Sequence, residues 1–318
     1  MVKLKDRNIL ITGGAGFIGS HLVDALVNDN EITVLDNLSA STTKFIDGLI
    51  KSNQITFIKG DIRNIDDVKR SLRDIDLVFH YAAQPDVKKS IAEPIYDFEI
   101  NVRGSINILE LMRKNDISEI VFASSGGTIY GDKPPLPTPE NQPLRPISNY
   151  GAAKAAIEMY LSSFSNSYGF TAVSLRYANI FGPRSNHGVI YDFYFKLKKN
   201  PHELEILGNG LQNKSYMYIS DCIDASLFVA SHVSGGYIPF NIGSESQITV
   251  NEIAKIIIDE LSLGDVKFRY TGGDRGWVGD VPITLPDLSK LKNLGWESKV
   301  STEDGIRKYV RWLKEFYG

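Results

Sequence analysis

Cysteine is nearly absent. Cys222 is the single one in 318 residues, which excludes an intramolecular disulfide framework and fits a reducing compartment. It reads as a small buried residue rather than a nucleophile. Charge of one sign is lacking too: 35 Lys and Arg stand against 38 Asp and Glu, a net charge of −3. No broad field therefore draws the chain to nucleic acid or to an anionic membrane, and any anionic ligand must be held by local groups. The five histidines, His21, His80, His187, His202 and His232, are scattered without ligand spacing, so no metal is expected. Long apolar runs are missing as well. The start, Met1-Val2-Lys3-Leu4-Lys5-Asp6-Arg7, leads into an apolar run too short and too charged for a signal peptide or a membrane span. There is no repeat, low-complexity tract or flexible linker. A cytoplasmic protein without nucleic-acid or membrane partners is the expectation.

What is present is an ordinary globular composition, 42% hydrophobic and 23% charged, in a length that suggests about two domains. Through the first 180 residues, runs rich in Val, Ile and Phe alternate with helical patterns: Asn8-Thr12, Glu31-Asp36, Ile55-Lys59, Asp76-His80, Glu119-Ser124 and Thr171-Tyr177. Strands apolar on both faces and separated by helices predict a parallel sheet in a doubly wound α/β fold. After Phe181 the pattern is less regular, with a helix near Val189-Lys199, strands near Leu204-Leu207 and Ser215-Ile219, and a helix from about Asp221. Thr249 with Glu252, and Ser301 with Asp304, mark later helix starts. The expected division is a dinucleotide-binding domain over 1–180, to which the chain returns at about 215–243, and a smaller, interleaved mixed α/β domain from 181–214 and 244–318. Six of the 13 prolines crowd between Gly131 and Pro146; so stiff a segment either walls a cleft or merely connects a strand to a helix.

Thr12-Gly13-Gly14-Ala15-Gly16-Phe17-Ile18-Gly19 follows the first strand and opens the first helix. Its Gly-x-Gly-x-x-Gly spacing allows a tight turn, close approach of backbone to a pyrophosphate and close helix packing, with the helix N-terminus facing the phosphates. Asp36 ends the second strand, where an acid accepts hydrogen bonds from ribose hydroxyls and repels a 2′-phosphate, favouring NAD over NADP. Asp61-Ile62, just past the third strand, either borders the adenine or caps a helix.

Ser124 and Ser125 close the fifth strand at its carboxyl end, where open α/β sheets collect ligands. Tyr150 and Lys154 stand one helical turn apart. A phenol with a pKa of about 10 acts as a base only if its anion is stabilised, and a neighbouring ammonium does that.

With these residues the chain resembles an extended short-chain dehydrogenase/reductase, within the UDP-galactose 4-epimerase (UDP-glucose 4-epimerase) branch. The likeness runs nearly end to end. It takes in the glycine loop, Asp36, Asp61-Ile62, His80-Tyr81-Ala82-Ala83, Val87 with Ser90 and Pro94, Asn101-Val102-Arg103-Gly104, Ser124 to Gly131, Tyr150 to Lys154, Arg176 to Asn179, Gly208 to Gln212 and Leu294-Gly295-Trp296. The resemblance implies a Rossmann fold and a redox cycle on a bound UDP-sugar with no net oxidation. Tyr150 would take the 4-hydroxyl proton while C4 passes hydride to NAD, Lys154 would lower the phenol's pKa and bind the nicotinamide ribose, and Ser125, with Ser124 in reserve, would hydrogen-bond the same oxygen. Cofactor contacts are implied at Gly13, Gly16, Phe17, Ile18, Asp36, Asn37, Asp61, Ile62, Ala82, Ala83, Asn101, Tyr150 and Lys154. Substrate contacts are implied at Asn179, Val189, Lys214, Arg275 and Thr284. Relatives carry the catalytic Ser or Thr four residues before the Tyr-Gly pair, a place held here by Gly126, and an arginine where Lys214 stands. The absence of an acid at Gly126 and Gly127 argues against 4,6-dehydratases. Small Thr284 would admit an N-acetyl group. A homodimer through the helices around Val102-Lys114 and Ala152-Ser167 is implied. The alternatives are a 4-epimerase of UDP-N-acetylhexosamine or UDP-glucuronate, a related decarboxylase, and a non-catalytic NAD-binding scaffold.

Overall fold

The computed structural model describes residues 4–277 and 279–318; the charged start at Met1–Lys3 and Val278 lie outside the described residues. The strands are β1 (Asn8–Thr12), β2 (Glu31–Asp36), β3 (Ile55–Lys59), β4 (Leu77–His80), β5 (Glu119–Ser125), β6 (Thr171–Tyr177), β7 (Asn179–Phe181), β8 (Glu203–Ile206), β9 (Asn213–Lys214), β10 (Tyr216–Tyr218), β11 (Tyr237–Ile242), β12 (Ile248–Thr249), β13 (Lys267–Tyr270) and β14 (Ile283–Thr284). The α-helices are α1 (Phe17–Leu26), α2 (Asp47–Lys51), α3 (Ile65–Ser71), α4 (Val87–Ala92), α5 (Pro94–Phe98), α6 (Ser105–Lys114), α7 (Asn149–Tyr168), α8 (Val189–Lys199), α9 (Ile219–His232), α10 (Val250–Glu260), α11 (Ser289–Leu294) and α12 (Thr302–Tyr317). A π-helical turn, Glu99–Gly104, joins α5 to α6.

Seven strands form one sheet in the order β11-β6-β5-β4-β1-β2-β3, every pair parallel. Strand alternation splits the core between its two faces. Ile9 and Ile11 pack with Leu22 and Val23 of α1 and Val229 of α9, whereas Leu10 packs with Val68 of α3, Met112 of α6 and Ile157 and Leu161 of α7. The order changes direction between β1 and β4, whose ends Thr12 and His80 are register partners. Such a switch point opens a crevice at the carboxyl edge.

A second core, with Phe193, Leu204, Ile257, Tyr309 and Leu313, lies among α8, α10, α12 and β8. β10 pairs with β7 outside the main sheet, and α9 begins at Ile219, two residues ahead of the Asp221 start expected from the pattern. The seventh strand, β11, was not among the sequence-marked runs; Pro239 and the half-buried Tyr237 and Ile238 mask its pattern at the sheet edge. Thr249 and Glu252 form a reciprocal capping box, and the Ser301 side chain accepts from the Asp304 amide. The proline-rich segment is more than a connection, since Pro134 and Thr138 line a small cavity with Gly126, Gly127 and Thr284. It connects β5 to α7, and it is pinned to the chain after β14: the Thr138 amide donates to the Leu285 carbonyl at 2.8 Å and the Asp287 amide to the Thr138 carbonyl at 2.9 Å.

Candidate active site

At the switch point β1 ends and α1 starts within five residues. Gly13 has φ +72°, and a Cβ there would lie 2.7 Å from the Ala82 amide nitrogen, so only glycine lets the loop sit this close to the end of β4. Thr12 Oγ1 accepts from the Tyr81 and Ala82 amides at 3.2 and 3.1 Å and bonds His80 Nδ1 at 2.7 Å. His80 also bonds Ser105, and burial, helped by the Lys154 charge, pushes it down to about 3; it is a neutral packing residue. The first turn of α1, Gly16, Phe17 and Ile18, has neither a side-chain cap nor an acid, which leaves amide donors and positive potential for a phosphate. Ala83 follows Ala82 on the other side of the groove.

Asp36 is buried at the end of β2. It accepts from the Ala15 and Leu38 amides at 3.1 and 2.8 Å and from Ser41 Oγ at 3.0 Å, leaving about one of roughly four acceptor sites on the carboxylate. Asn37 donates to Asp61 at 2.8 Å, and the Arg63 guanidinium holds Asp61 down to about 2. The cap of the following helix is Asn64, not Asp61, and Ile62 is buried beside Gly104. An uncapped glycine loop with a buried acid at the neighbouring strand end fits a dinucleotide. Asn101 is fully engaged within the protein. Both of its amide donors are taken, by the Gln84 carbonyl at 3.0 Å and Asp97 Oδ1 at 2.9 Å, and its Oδ1 accepts from the Gln84 amide at 2.8 Å. It ties the segment after β4 to α5.

Helix α7 starts from Ser148, whose side chain accepts from the Gly151 amide, and carries half-buried Tyr150 and buried Lys154 one turn apart. Lys154 Nζ donates to the Ala123 carbonyl at 2.8 Å and lies 5.6 Å from the Tyr150 ring centre. Burial lowers Lys154 to about 8, with Asp97 and Glu158 opposing the fall. In the protein by itself, burial first, and then the Asp97 charge, hold Tyr150 above its ordinary value. The physical reason is that desolvation outweighs an ammonium turned towards a strand carbonyl.

The two serines separate cleanly. Ser124 is buried and donates to Glu158, which also receives Arg176 and the Tyr237 hydroxyl, so its hydroxyl belongs to a buried network. Ser125 is half-buried and accepts from Thr128 Oγ1 at 2.8 Å, which leaves its own hydrogen to donate. A Cβ at Gly126 would lie 2.9 Å from the Arg176 carbonyl oxygen, so a hydroxyl residue does not fit where relatives carry one.

On the far side, Asn179 donates to the Ser215 carbonyl at 3.0 Å. Val189 opens α8 and is half-buried against the second core. Both expected cations have acid partners that sequence reasoning missed: Lys214 pairs with buried Asp280 at 2.5 Å, and Arg275 with Asp132 at 2.7 and 2.8 Å. Thr284 shares a small cavity with Gly126, Gly127, Tyr130 and Pro286, and its buried hydroxyl has no hydrogen-bond partner among the described residues. Thr128, Gln84 and Asp97 were also missed. Asp97 had one available signal, standing four residues ahead of Asn101 in a helical stretch.

A doubly wound sheet with a dinucleotide groove beside a Tyr-Lys pair defines an NAD-dependent oxidoreductive enzyme fold. The chain belongs to the NAD dependent epimerase/dehydratase family, whose model matches residues 9–243. It is 36% identical to the UDP-glucose 4-epimerase of Thermotoga maritima, solved with UDP-glucose, with TM-score 0.90 over 98% of this chain and 100% of that one. It is 33% identical to the UDP-N-acetylglucosamine 4-epimerase of Methanobrevibacter ruminantium, with TM-score 0.89 over 98% and 99%. The dTDP-glucose 4,6-dehydratase DesIV of Streptomyces venezuelae, solved with NAD, is similar at 28% identity and TM-score 0.89 over 97% of each chain.

Proposed function

We propose that this chain is a UDP-hexose 4-epimerase, interconverting UDP-glucose and UDP-galactose through a 4-keto sugar. What supports the reading is that Lys154 lies 5.6 Å from the Tyr150 ring centre and bonds the Ala123 carbonyl of β5, the strand that Ser125 closes at the carboxyl edge of the sheet, with glycines at 126 and 127 where a dehydratase needs its acids. NAD, when bound, supplies the hydride acceptor and donor and a positive charge beside the phenol. Gly13, Gly16, Phe17, Ile18, Ala82 and Ala83 would hold its diphosphate and Asp36 and Asn37 its adenosine ribose. Tyr150 removes the O4 proton as C4 is oxidised and returns it as C4 is reduced on its opposite face. Ser125 donates to the same oxygen, and Lys154 stabilises the phenolate once the cofactor's charge joins its own. Lys214 and Arg275 serve the UDP diphosphate, to which their acid partners must yield them, with Asn179 and Val189 beside it.

The unpartnered Thr284 hydroxyl in the cavity next to Gly126 favours one second reading, acceptance of a 2-acetamido sugar. Exposed Met159 and Tyr160 on α7 support a homodimer through α6 and α7. The purified protein incubated with single UDP-sugars, with products resolved by NMR, tests both readings of substrate. Interconversion of UDP-glucose and UDP-galactose is expected. No conversion of either would sink the proposal, and no turnover of UDP-N-acetylglucosamine would remove the second reading.

A further inference from the structure

Lys154 is a buried lysine whose side chain has one hydrogen bond among the described residues, to a neutral carbonyl, and a buried ammonium needs a counter-charge to stay protonated. Two buried carboxylates stand on the helices around it: Glu158, one turn further along α7, and Asp97 on α5, which packs on α7 and whose carboxyl burial holds above its ordinary value. Glu158, on α7 itself, is committed elsewhere: it takes Arg176 through Nε at 3.0 and 3.1 Å and through Nη2, plus the Ser124 and Tyr237 hydroxyls. Asp97, from α5, is 1% exposed and forms no ion pair within 4 Å among the described residues. Its Oδ1 accepts from Gln84 Nε2 at 3.0 Å and Asn101 Nδ2 at 2.9 Å. Gln84 and Asn101 are themselves cross-bonded, and α5 and the π-helical turn pack on α7. Asn149, next to Tyr150, donates to the Ser90 carbonyl at 2.8 Å and ties α4 to the same helix start.

We propose that Asp97, held by Gln84 and Asn101, is the counter-charge of the Lys154 ammonium and thereby a positioning residue for the Tyr150 phenol. The proposal rests on the reading of Tyr150 and Lys154 as the proton-transfer pair. The other charges around α7 are taken. Lys88 and Lys89 of α4 lie over Trp277 and Tyr96, Glu99 pairs with Arg103, Glu110 of α6 with Arg113 and Lys114, and Glu119 of β5 with Arg7. Glu93, before α5, is exposed to solvent. His80 of β4 is neutral. Asp97 acts on both members of the pair in the same sense: its charge raises Lys154 and raises Tyr150. Two consequences follow with opposite value. The ammonium is kept for phosphate-flanked ribose and phenolate, while the phenol is kept protonated until the cofactor's charge arrives, so that the base forms only in the loaded site.

Asp97→Asn removes the charge and keeps an oxygen to accept from Gln84 and Asn101, so it separates electrostatics from packing. In protein carrying 13C-labelled lysine, the Lys154 Cε resonance, assigned by its loss in Lys154→Arg, should titrate about one pH unit lower in Asp97→Asn than in the parent, a tenfold fall in proton affinity. Both limbs of the pH profile of kcat/KM should move to lower pH together. An unchanged Lys154 midpoint with superimposable limbs overturns the proposal. If Asp97→Asn does not fold, Asp97→Ser carries the same expectation, and a parent midpoint below neutrality overturns it without any variant. The titration needs no turnover, so failure to convert UDP-sugars would sink the functional reading and leave this one to be decided by the resonance.

Discussion

The buried Glu158–Arg176 pair behind Ser124 offers the sharpest energetic test of how this site is built. Glu158 is fully buried and Arg176 3% exposed. Removing one partner from such a pair costs about 3–5 kcal/mol, because the other is left as an uncompensated buried charge. Glu158→Met strands the guanidinium and also takes the acceptor from Ser124 and Tyr237; Arg176→Met strands the carboxylate and removes donors from the Glu140 carbonyl and the Tyr130 oxygen. If the two changes were independent, their sum would be about 6–10 kcal/mol. The double variant leaves no buried charge. Its remaining cost is the orphaned Ser124 and Tyr237 hydroxyls and the Glu140 carbonyl and Tyr130 oxygen left without their donor, about 1–3 kcal/mol each where no new partner forms, groups that the single variants orphan as well, and it is partly offset by the apolar surface of two methionines. The double variant should therefore be more stable than either single one, with a coupling energy of at least about 3 kcal/mol. Urea unfolding of parent, both singles and the double at neutral pH measures this. Additive single effects, or a double variant less stable than both singles, would refute the reasoning.

Three further outcomes are expected. Tyr150→Phe should keep NAD bound while losing about 10²–10⁴ of kcat, the range of a general base, measured by coupled assay alongside cofactor absorbance; near-normal turnover would remove its role. Ser125→Ala should lower kcat by roughly tenfold with little loss of stability, the worth of about one hydrogen bond, whereas Ser124→Ala should show its effect mainly in urea midpoints; the reverse pattern would restore Ser124 as the catalytic hydroxyl. Because burial holds Lys154 to about 8, its ammonium is present below that pH and lost above it, so kcat/KM should decline as pH rises through about 8, and Lys154→Arg should abolish that limb whatever its residual rate.

Much of the site was legible because its parts are local. The glycine spacing, the acid closing β2, the serines closing β5 and the turn-separated Tyr150 and Lys154 are each short patterns whose chemistry follows from chain geometry over a few residues. The Thr249–Glu252 capping box was readable for the same reason. Contacts between distant segments were not readable: Asp132 reaching Arg275, Asp280 reaching Lys214, and Gln84 closing on Asp97 and Asn101 involve residues whose one-dimensional neighbourhoods are unremarkable for polar loops and helix turns.

The sequence by itself therefore determined the alternation of strand and helix, the class of cofactor and the pair proposed to handle the proton, since periodicity, turn chemistry and residue type act at short range. Only the tertiary structure decided which serine is available, because whether a hydroxyl on β5 meets Glu158 or the groove depends on what packs against each face of that strand. It also decided the surroundings of the proposed base. Burial and the charge of Asp97, both products of how α5 and α7 come together, hold the Tyr150 phenol protonated in the protein by itself, and no inspection of Tyr150 and Lys154 alone could have supplied that sign.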